Sequence, residues 1–258
     1  EIYNLEEKLM EDNFIEIKNP DQKIYRIFRI KRFKQLIRSK KLVLVNLKKW
    51  DDPFENFFLN GKVIDSTNGQ IGSLENLAAA WYGQCWTFKE ESDALWRIYS
   101  PKKDGVRVST TIRKLFSCIW DDKDEYRNLK YFIGKVSYIS RSDIEHFMEN
   151  TSFENIASGG NNDKFARLLC VKRKEFSHEK EIRILVSDSD PKKGKNGCYR
   201  IPFDYQNILK DVCLDPRLSD DDYSALKSEF ENMGCKLPIT QSELYKVSFK
   251  PIRLQMSV

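Results

Sequence analysis

The first clear pattern in the chain is an alternation of apolar and polar residues over positions 24–30, which predicts a β-strand. Such a strand presents two faces, with Tyr25, Ile27 and Arg29 on one and Ile24, Arg26, Phe28 and Ile30 on the other. Residues 31–40 have helical spacing of their apolar positions, and 42–45 form an uninterrupted apolar run typical of a buried strand. The predicted order is therefore strand, helix, strand.

Similar patterns predict elements along the rest of the chain. Ser92 is a favoured N-cap residue, and the spacing after it predicts a helix through Ser100. Further strands are predicted at 84–88, 105–109, 132–139, 164–174, 179–187, 198–201, 212–214 and 245–249. Further helices are predicted at 111–119, 142–149, 205–210 and 220–233. Residues 60–73 are predicted to form a loop, and 74–82 fit either a helix or a strand.

The elements follow one another at irregular spacing, which indicates an α+β fold rather than a doubly wound sheet. Residues 5–17 fit an amphipathic N-terminal helix followed by a short apolar stretch, and Asn19-Pro20-Asp21 then marks a turn. No repeat, low-complexity tract or linker rich in Pro, Gly and Ser divides the chain. We therefore expect a single domain over 1–258, with its core from about residue 22 and a helical segment at 1–20.

The composition excludes several classes of protein. The 258 residues include 16 Phe, 11 Tyr and 5 Trp, which argues against disorder. No stretch approaches the ~20 apolar residues that cross a bilayer, and the N-terminus lacks a signal-peptide pattern. The six cysteines include no Cys-x-x-Cys pair, and the chain has only two histidines to complete a ligand set. A zinc site is therefore disfavoured. Free thiols suit a reducing compartment, so we expect a cytoplasmic protein without a membrane partner.

The charge distribution says less about function than the composition does. The 44 basic and 39 acidic residues leave a net charge of +5, and the two signs are interleaved almost everywhere. Small basic clusters occur at 31–32, 38–41, 102–103, 172–174 and 192–195. They are interpreted first as solvated faces, and second as a surface that attracts the phosphates of a nucleic acid or a nucleotide.

Sequence motifs of common enzymes are absent. The chain has no Gly-x-Gly-x-x-Gly, no phosphate-binding Gly-Lys-Ser/Thr loop, no His-Glu-x-x-His and no Gly-x-Ser-x-Gly. Dinucleotide-binding dehydrogenases, P-loop enzymes, zinc proteases and serine hydrolases are therefore disfavoured, and we expect no metal site.

The stretch that best suggests chemistry is the predicted strand at 179–187. Glu179, Glu181 and Arg183 would project from one face, while Ile182, Ile184 and Val186 would project into the core. Two interpretations stay open. The plain one is a solvated edge with a Glu181–Arg183 ion pair, which contributes less than ~1 kcal/mol. The functional one is a Glu-x-Glu catalytic strand.

Three weaker candidates accompany it. Arg26 or Arg29 on the first strand would suit bidentate phosphate binding, although strand arginines commonly form structural ion pairs. Trp96 and Tyr99, three residues apart on one helix, could stack on a planar ring or simply pack in the core. Ser109, after a strand, could contact a sugar or cap the following helix.

Taken together, these segments resemble a bacterial family known as domain of unknown function 2971. The resemblance rests on the order of Tyr25-Arg26-Ile27-Phe28-Arg29, Asp52-Pro53-Phe54-Glu55, Cys85-Trp86-Thr87-Phe88, Leu95-Trp96-Arg97-Ile98-Tyr99, Gly105-Val106, Glu179-Lys180-Glu181-Ile182-Arg183 and Val212-Cys213-Leu214-Asp215-Pro216. That family in turn resembles divergent ADP-ribosyltransferases, including toxins that modify DNA and RNA. The order of motifs is more specific than any motif alone.

The resemblance implies an ADP-ribosyltransferase-like α+β fold and NAD as the substrate. It assigns Glu181 as the residue that stabilises the cationic ribose, and Glu179 as the one that acts on the acceptor. Arg29, or otherwise Arg26, would hold the pyrophosphate or ribose. Trp96 and Tyr99 would wall the nicotinamide pocket, and Ser109 would contact the ribose. RNA, DNA or protein acceptors, a toxin or anti-phage defence role, and an antitoxin or other inhibitory protein partner also follow from the resemblance alone.

Two other classes of function remain open from the residues. One is a nuclease that holds Mg²⁺ with acidic residues such as Asp52, Glu55 and Glu181. The other is a non-catalytic nucleotide-binding module in which Glu181 and Arg183 merely pair.

Overall fold

The computed structural model of the protein describes residues 10–50, 62–64, 68–73, 79–150, 162–190 and 194–247. The strands are β1 (Phe14–Ile15), β2 (Lys23–Arg29), β3 (Lys41–Asn46), β4 (Lys62–Ile64), β5 (Ile71–Ser73), β6 (Trp81–Thr87), β7 (Gly105–Thr111), β8 (Tyr131–Lys135), β9 (Ser137–Ile139), β10 (Val171–Arg173), β11 (Glu181–Ser187), β12 (Cys198–Pro202), β13 (Asp211–Leu214) and β14 (Ile239–Gln241). The helices are α1 (Ile30–Ser39), α2 (Asp93–Tyr99), α3 (Ile112–Ser117), α4 (Arg127–Lys130), α5 (Arg141–Asn150), α6 (Asn162–Leu168), α7 (Tyr205–Ile208) and α8 (Asp220–Asn232).

A ten-stranded mixed sheet organises the described residues, and the expected α+β class with flanking helices is confirmed. Its main path runs β1-β8-β11-β6-β2-β7-β13-β14, and β3 and β12 branch from β6. The outermost pairs, β1–β8 and β13–β14, are parallel, whereas the pairs between them are antiparallel. Two small two-stranded sheets, β4–β5 and β9–β10, are separate from it.

The sheet forks along one edge of β6. At one end of β6, Thr87 pairs with Tyr25 of β2, and toward the other end Gly83 pairs with Val45 of β3. Between these contacts, side chains replace the backbone ladder: Arg26 Nε donates to the Cys85 carbonyl at 3.1 Å, and Gln84 Nε2 donates to the Val43 carbonyl at 2.9 Å. Backbone groups inside a protein must be paired, so the fork requires such side chains.

Strand β11 lies between β6 and β8 and is buried on both faces. Ile182, Ile184 and Val186 enter the main core, as the alternation predicts. On the other face, Leu185 joins a second cluster with residues of α6, such as Phe165. The interpretation of this strand as a solvated edge is therefore wrong, and the ion pair it carries belongs to the interior.

The strand, helix, strand order near the N-terminus is confirmed by β2, α1 and β3. The apolar stripe of α1, formed by Phe33, Leu36 and Ile37, is buried. The predicted cap of α2 is also present, since the Ser92 hydroxyl accepts a hydrogen bond from the Leu95 amide at 3.2 Å.

Several other sequence-based expectations are wrong in the described residues. Of the predicted N-terminal helical segment, the structure shows helix at 10–11, and residues 1–9 lie outside the described part. Phe14–Ile15 is instead a strand that pairs with β8. The predicted loop at 60–73 contains the β4–β5 pair. The predicted strand at 164–174 is wrong for 164–168, which belong to α6 because their apolar residues pack against β8 and Trp81, whereas 171–173 form the strand β10. The last strand among the described residues lies at 239–241; in the predicted strand at 245–249, residues 245–247 are not extended in a ladder and 248–249 lie outside the described residues.

Candidate active site

The fork borders a cleft with a volume of about 380 Å³. Strands β2 and β6, helix α2 and the segment before β11 form its walls. The lining residues are Tyr25, Arg26, Ile27, Phe28, Arg29, Arg32, Cys85, Trp86, Thr87, Leu95, Ile98, Tyr99, Pro101, Glu179 and Glu181. The tertiary structure thus brings Arg26, Arg29, Tyr99, Glu179 and Glu181, five of the seven residues singled out from the sequence, to one concave surface.

Glu181 is the most constrained acidic group of the cleft. Arg183 binds it bidentately, with Nε 2.8 Å from Oε1 and Nη2 3.1 Å from Oε2. Lys172 Nζ lies 3.3 Å from Oε2, and the Glu181 amide donates to the Tyr138 hydroxyl at 2.8 Å. Glu181 is 4% exposed and Arg183 is 1% exposed. The carboxylate is therefore held in one position at the edge of the cleft.

The charge state of Glu181 follows from these contacts. Burial by itself would raise its pKa, but the charge and hydrogen bonds of Arg183, together with Lys172, lower the pKa to about 2. A weak hydrogen bond from the Cys85 thiol acts in the same direction. Glu181 is consequently ionised throughout the physiological pH range.

Acidification is expected to remove the stabilisation that ionised Glu181 provides. Its folded pKa of about 2 lies below the ordinary value of 4.5, so the stabilisation is complete above pH 4.5 and is lost as the pH falls toward 2. The difference corresponds to about 3 kcal/mol. Urea unfolding between pH 2 and 6 should show a steeper decline for the wild type than for Glu181→Gln. Glu145→Gln, at an exposed position of α5, should decline like the wild type, and equal slopes for all three proteins would contradict the assignment.

Glu179 reaches the same cleft from a different element than predicted. It ends a 3₁₀ helix, Lys174–Glu179, and Lys180 has a left-handed backbone with φ of 46°. The expectation of Glu179, Glu181 and Arg183 in one strand row is therefore wrong for Glu179. Lys172 Nζ nevertheless lies 2.6 Å from Glu179 Oε2 and 3.3 Å from Glu181 Oε2, so one buried ammonium holds both carboxylates.

The two candidate arginines of β2 occupy different parts of the cleft. Arg26 lies at the fork, where Nε binds the Cys85 carbonyl and the guanidinium lies 5.0 Å from the Phe28 ring centre. Burial lowers the pKa of Arg26 to about 10, which leaves it a cation at neutral pH. Arg29 lies at the rim, 59% exposed, with Nε 3.9 Å from Asp104. Both arginines therefore line the cleft, Arg26 as a buried cation at the fork and Arg29 as an exposed one at the rim.

The two aromatic candidates of α2, Trp96 and Tyr99, lie in different environments. Tyr99 lines the cleft, and burial together with the nearby Glu179 raises its pKa above the usual value, so the phenol stays neutral. Trp96 is fully buried beneath the helix, and its indole donates to Glu91 at 2.8 Å. The expectation that Trp96 walls the pocket is wrong, because its side chain is buried in a cluster with Ile27 and Leu95, and the cleft is lined by Leu95, Ile98 and Tyr99 instead.

Helix α2 is held in place by an ion pair from the end of β13. Asp215 is fully buried and accepts hydrogen bonds from the Ser100 hydroxyl and from Arg217. Arg217 Nη2 also donates to the Ser100 carbonyl at 2.5 Å, which satisfies a helix-end acceptor. A side chain at Gly105 would lie 2.5 Å from Ser100, so glycine permits this close approach. These contacts fix the position of Tyr99.

Ser109 lies away from the cleft. It is 1% exposed, and its hydroxyl donates to Asp211 at 2.6 Å between β7 and β13. The expected ribose contact is therefore wrong, since the hydroxyl serves the strand pairing. Thr87 occupies the cleft instead, and its hydroxyl donates to the Glu179 carbonyl.

Lys172 and Cys85 are the functional candidates that sequence reasoning missed as site residues. Lys172 belongs to a basic run, Lys172 to Lys174, which has the composition of a solvated face. Its neighbours Val171 and Arg173 are half-buried, and Lys172 itself is only 9% exposed. The available signal was the alternation in Val171-Lys172-Arg173-Lys174, which is weak over so few residues.

The described residues contain no group of three or more His, Cys, Asp or Glu side chains arranged to hold a metal ion. Asp52 and Glu55, which the nuclease interpretation requires, lie outside the described residues. Within the described part of the chain, no helix is both long enough and apolar enough to span a membrane.

A sequence family matches a part of the chain that contributes six of the fifteen residues lining this cleft. The family described as "Protein of unknown function (DUF2971)" matches residues 95–184. The match includes Tyr99, Lys172, Glu179, Glu181 and Arg183, and it confirms the resemblance to domain of unknown function 2971. No curated protein matches the chain.

Solved structures of DarT from Thermus sp. 2.9 are similar to this chain. The complex with ADP-ribosylated ssDNA is 12% identical, with a TM-score of 0.40 and coverage of 88% of this chain and 96% of that chain. The complex with NAD⁺ is 11% identical, with a TM-score of 0.41 and coverage of 88% and 98%. This likeness concerns the fold alone.

Proposed function

We propose that the protein is an NAD-dependent ADP-ribosyltransferase that modifies a macromolecule, either a nucleic acid or a protein. The observation that carries the proposal is the buried, ionised carboxylate of Glu181 in one cleft with Arg26 and Tyr99. A fixed anion, a cation for phosphates and a neutral aromatic wall are the groups that this reaction requires. The match to residues 95–184 and the order of motifs in the sequence agree with it.

The proposed reaction moves positive charge from one part of NAD to another. The bond between nicotinamide and the ribose breaks, and both bonding electrons leave with nicotinamide, which becomes neutral. The ribose becomes an oxocarbenium-like cation, which the acceptor nucleophile attacks as it loses its proton. Glu181 stabilises the ribose cation, because its pKa of about 2 keeps a full negative charge in a low-dielectric position.

Glu181 retains room for a substrate hydroxyl. Arg183 and Lys172 take three of its acceptor sites through strong contacts, whereas the Cys85 thiol is a weak donor. A ribose hydroxyl that displaces the thiol would form a stronger hydrogen bond. The displacement would orient the ribose against the carboxylate.

Glu179 is proposed to take the proton of the acceptor. Lys172 donates to its Oε2 at 2.6 Å, and Glu179 lines the cleft where an acceptor would approach the ribose. Arg26 would hold the pyrophosphate at the fork and Arg29 would assist from the rim. Tyr99, with Leu95 and Ile98, would enclose the nicotinamide ring.

The acceptor and the biological role rest on the sequence resemblance. We propose a role as a toxin or an anti-phage defence effector, with an antitoxin or other inhibitory protein that silences it. RNA, DNA and protein are the acceptor classes to be compared.

The other two classes of function fit the cleft less well. A nuclease site needs several acidic ligands for Mg²⁺, but the described residues hold no group of three or more His, Cys, Asp or Glu side chains arranged for a metal ion, and both oxygens of Glu181 already accept hydrogen bonds from Arg183. A binding module that only pairs Glu181 with Arg183 does not require Lys172 to hold a second carboxylate beside the first.

The test is release of nicotinamide from NAD by the purified protein, measured with RNA, DNA, cell lysate or no addition, with and without Mg²⁺. The proposal predicts release that needs NAD and no metal, and that increases with one acceptor class. Nucleic-acid cleavage that needs Mg²⁺ and no NAD would instead support the nuclease. A folded protein that binds NAD without turnover would support the binding module.

Replacing Lys172 by Met is expected to lower the rate of nicotinamide release about tenfold or more. Without the ammonium, Glu179 and Glu181 repel each other, so one of them takes up a proton at a higher pH. The acid limb of the pH profile should therefore move upward by about one unit. Lys172→Arg keeps the charge and should restore the wild-type profile in large part. A uniform loss of rate at every pH, in both variants, would indicate a structural role.

A further inference from the structure

A second cavity opens on the opposite face of the forked sheet, with a volume of about 200 Å³. Its walls include Gln84 and Trp86, which alternate along β6 with the Cys85 and Thr87 that face the first cleft. Helix α1, strands β3 and β12, and the segment after β12 close it. The lining residues are Arg26, Phe28, Arg32, Gln35, Leu36, Lys41, Leu42, Val43, Val45, Gln84, Trp86, Val108, Cys198, Arg200, Phe203 and Leu209.

All charged side chains in the described lining of this cavity are basic. Arg26, Arg32, Lys41 and Arg200 line it, and its described lining contains no acidic side chain. The first cleft differs, because Glu179 and Glu181 balance its arginines. The second cavity is therefore suited to an anion.

The remainder of its wall is aromatic and fixed. Phe28, Trp86 and Phe203 contribute rings, and Trp86 and Phe203 are 4% and 2% exposed. Trp86 Nε1 donates to Gln84 Oε1 at 2.8 Å, and Gln84 Nε2 donates to the Val43 carbonyl at 2.9 Å. Because these polar atoms are already paired, the wall is fixed and offers a largely apolar surface to a planar ring.

The two cavities meet at the fork. Arg26, Phe28, Arg32 and Trp86 line both of them. Hydrogen bonds to the described residues engage Arg26 through Nε and Arg32 through Nη1. Their other guanidinium nitrogens are donors without a hydrogen bond to the described residues, placed between the cavities. A phosphate at this position would contact both arginines.

We propose that the second cavity binds the base of a nucleotide whose phosphate lies against Arg26 and Arg32. The inference deepens the proposed function, on which it rests, by naming the ligand of the adjoining surface. The nucleotide comes either from the AMP half of NAD or from a nucleic-acid acceptor, since both carry a base and a phosphate.

Binding of AMP, measured by calorimetry with the full chain, tests the cavity directly. AMP should bind more tightly than ribose 5-phosphate, which lacks the base. The double substitution Lys41→Gln and Arg200→Gln removes two of the four cations that line this cavity. It lowers the positive potential that attracts the phosphate to Arg26 and Arg32, and it should weaken AMP binding about tenfold or more. Arg141→Gln, at an exposed position of α5, should not change the binding. Val43→Trp fills the cavity and should abolish binding.

The failure of this inference is distinguishable from the failure of the proposed function. Glu181→Gln should still bind AMP, because Glu181 lines the first cleft and not the second. Loss of AMP binding in Glu181→Gln, with full binding in the Lys41 and Arg200 double variant, would place AMP in the first cleft and overturn the inference. Equal affinity for AMP and ribose 5-phosphate, or no AMP binding to the folded wild type, would overturn it as well.

The kinetics of the double variant identify the source of the nucleotide. A higher KM for NAD, measured without an acceptor, would assign the cavity to the AMP half of NAD. An unchanged KM for NAD with a higher KM for the nucleic acid would assign it to the acceptor. A double variant with both KM values unchanged would contradict the inference.

Discussion

Glu181→Gln is expected to reduce the rate of nicotinamide release by about 100- to 1000-fold, the effect of removing a preorganised group that stabilises charge in a transition state. Glutamine has nearly the same shape and keeps one oxygen that can accept a hydrogen bond from Arg183, but it lacks the negative charge. The positive charge of NAD moves onto the ribose during the reaction. The loss should therefore appear in kcat, with little change in KM.

The control for this experiment is Glu145→Gln, on the exposed face of α5, with side-chain exposure of 58% at that position. It removes one carboxylate from the chain and should keep the wild-type rate. Thermal unfolding of Glu181→Gln must show a cooperative transition before its rate is compared. Full NAD-dependent activity in folded Glu181→Gln would refute the assignment of the catalytic residue.

Arg183→Met is expected to be the most destabilising of these substitutions, by about 3–5 kcal/mol. It leaves the buried carboxylate of Glu181 with Lys172 as its remaining strong partner. It also removes the hydrogen bond from Nη1 to the Leu169 carbonyl at 2.6 Å and the contact with the Trp50 ring at 4.7 Å. A loss of this size corresponds to roughly 6–20 °C in Tm for a chain of this length.

Two further variants test whether an unpaired buried charge causes the loss of stability in Arg183→Met. Glu181→Gln combined with Arg183→Met should be more stable than Arg183→Met alone, because no unpaired charge remains buried. Arg141→Met breaks the exposed pair with Glu145 and should cost less than ~1 kcal/mol. If Arg183→Met were as stable as Arg141→Met, the Glu181–Arg183 pair would be energetically equivalent to a surface ion pair.

Much of the fold was accessible from local patterns. The alternation at 24–30, the helical spacing at 31–40 and the apolar run at 42–45 predict β2, α1 and β3 within one or two residues. Each of these elements has one face or both faces in the core, so burial leaves a period in the sequence. The strand that carries Glu181 was predicted for the same reason, since Ile182, Ile184 and Val186 alternate toward the core.

Errors occurred where a local pattern fits two structures. Residues 164–168 are apolar at spacings that suit either a short strand or one turn and a half of helix, and their packing beside Trp81 makes them α6. On α2, Tyr99 lines the cleft together with Leu95 and Ile98, whereas Trp96 does not. Helical spacing groups residues into stripes, whereas only packing against β2 decides which stripe is buried.

By itself, the sequence determined the α+β class, the main elements around the site, and the presence of Glu181 and an arginine of β2 among the candidate residues. Only the tertiary structure decided that Arg26 occupies the fork, that Lys172 joins Glu179 to Glu181, and that Arg183 is buried. The period of apolar residues shows which residues face the core, because an element buries the same face along its whole length. The fork and the left-handed turn at Lys180 depend instead on pairing between segments far apart in the chain, and such pairing leaves no periodic trace in either segment.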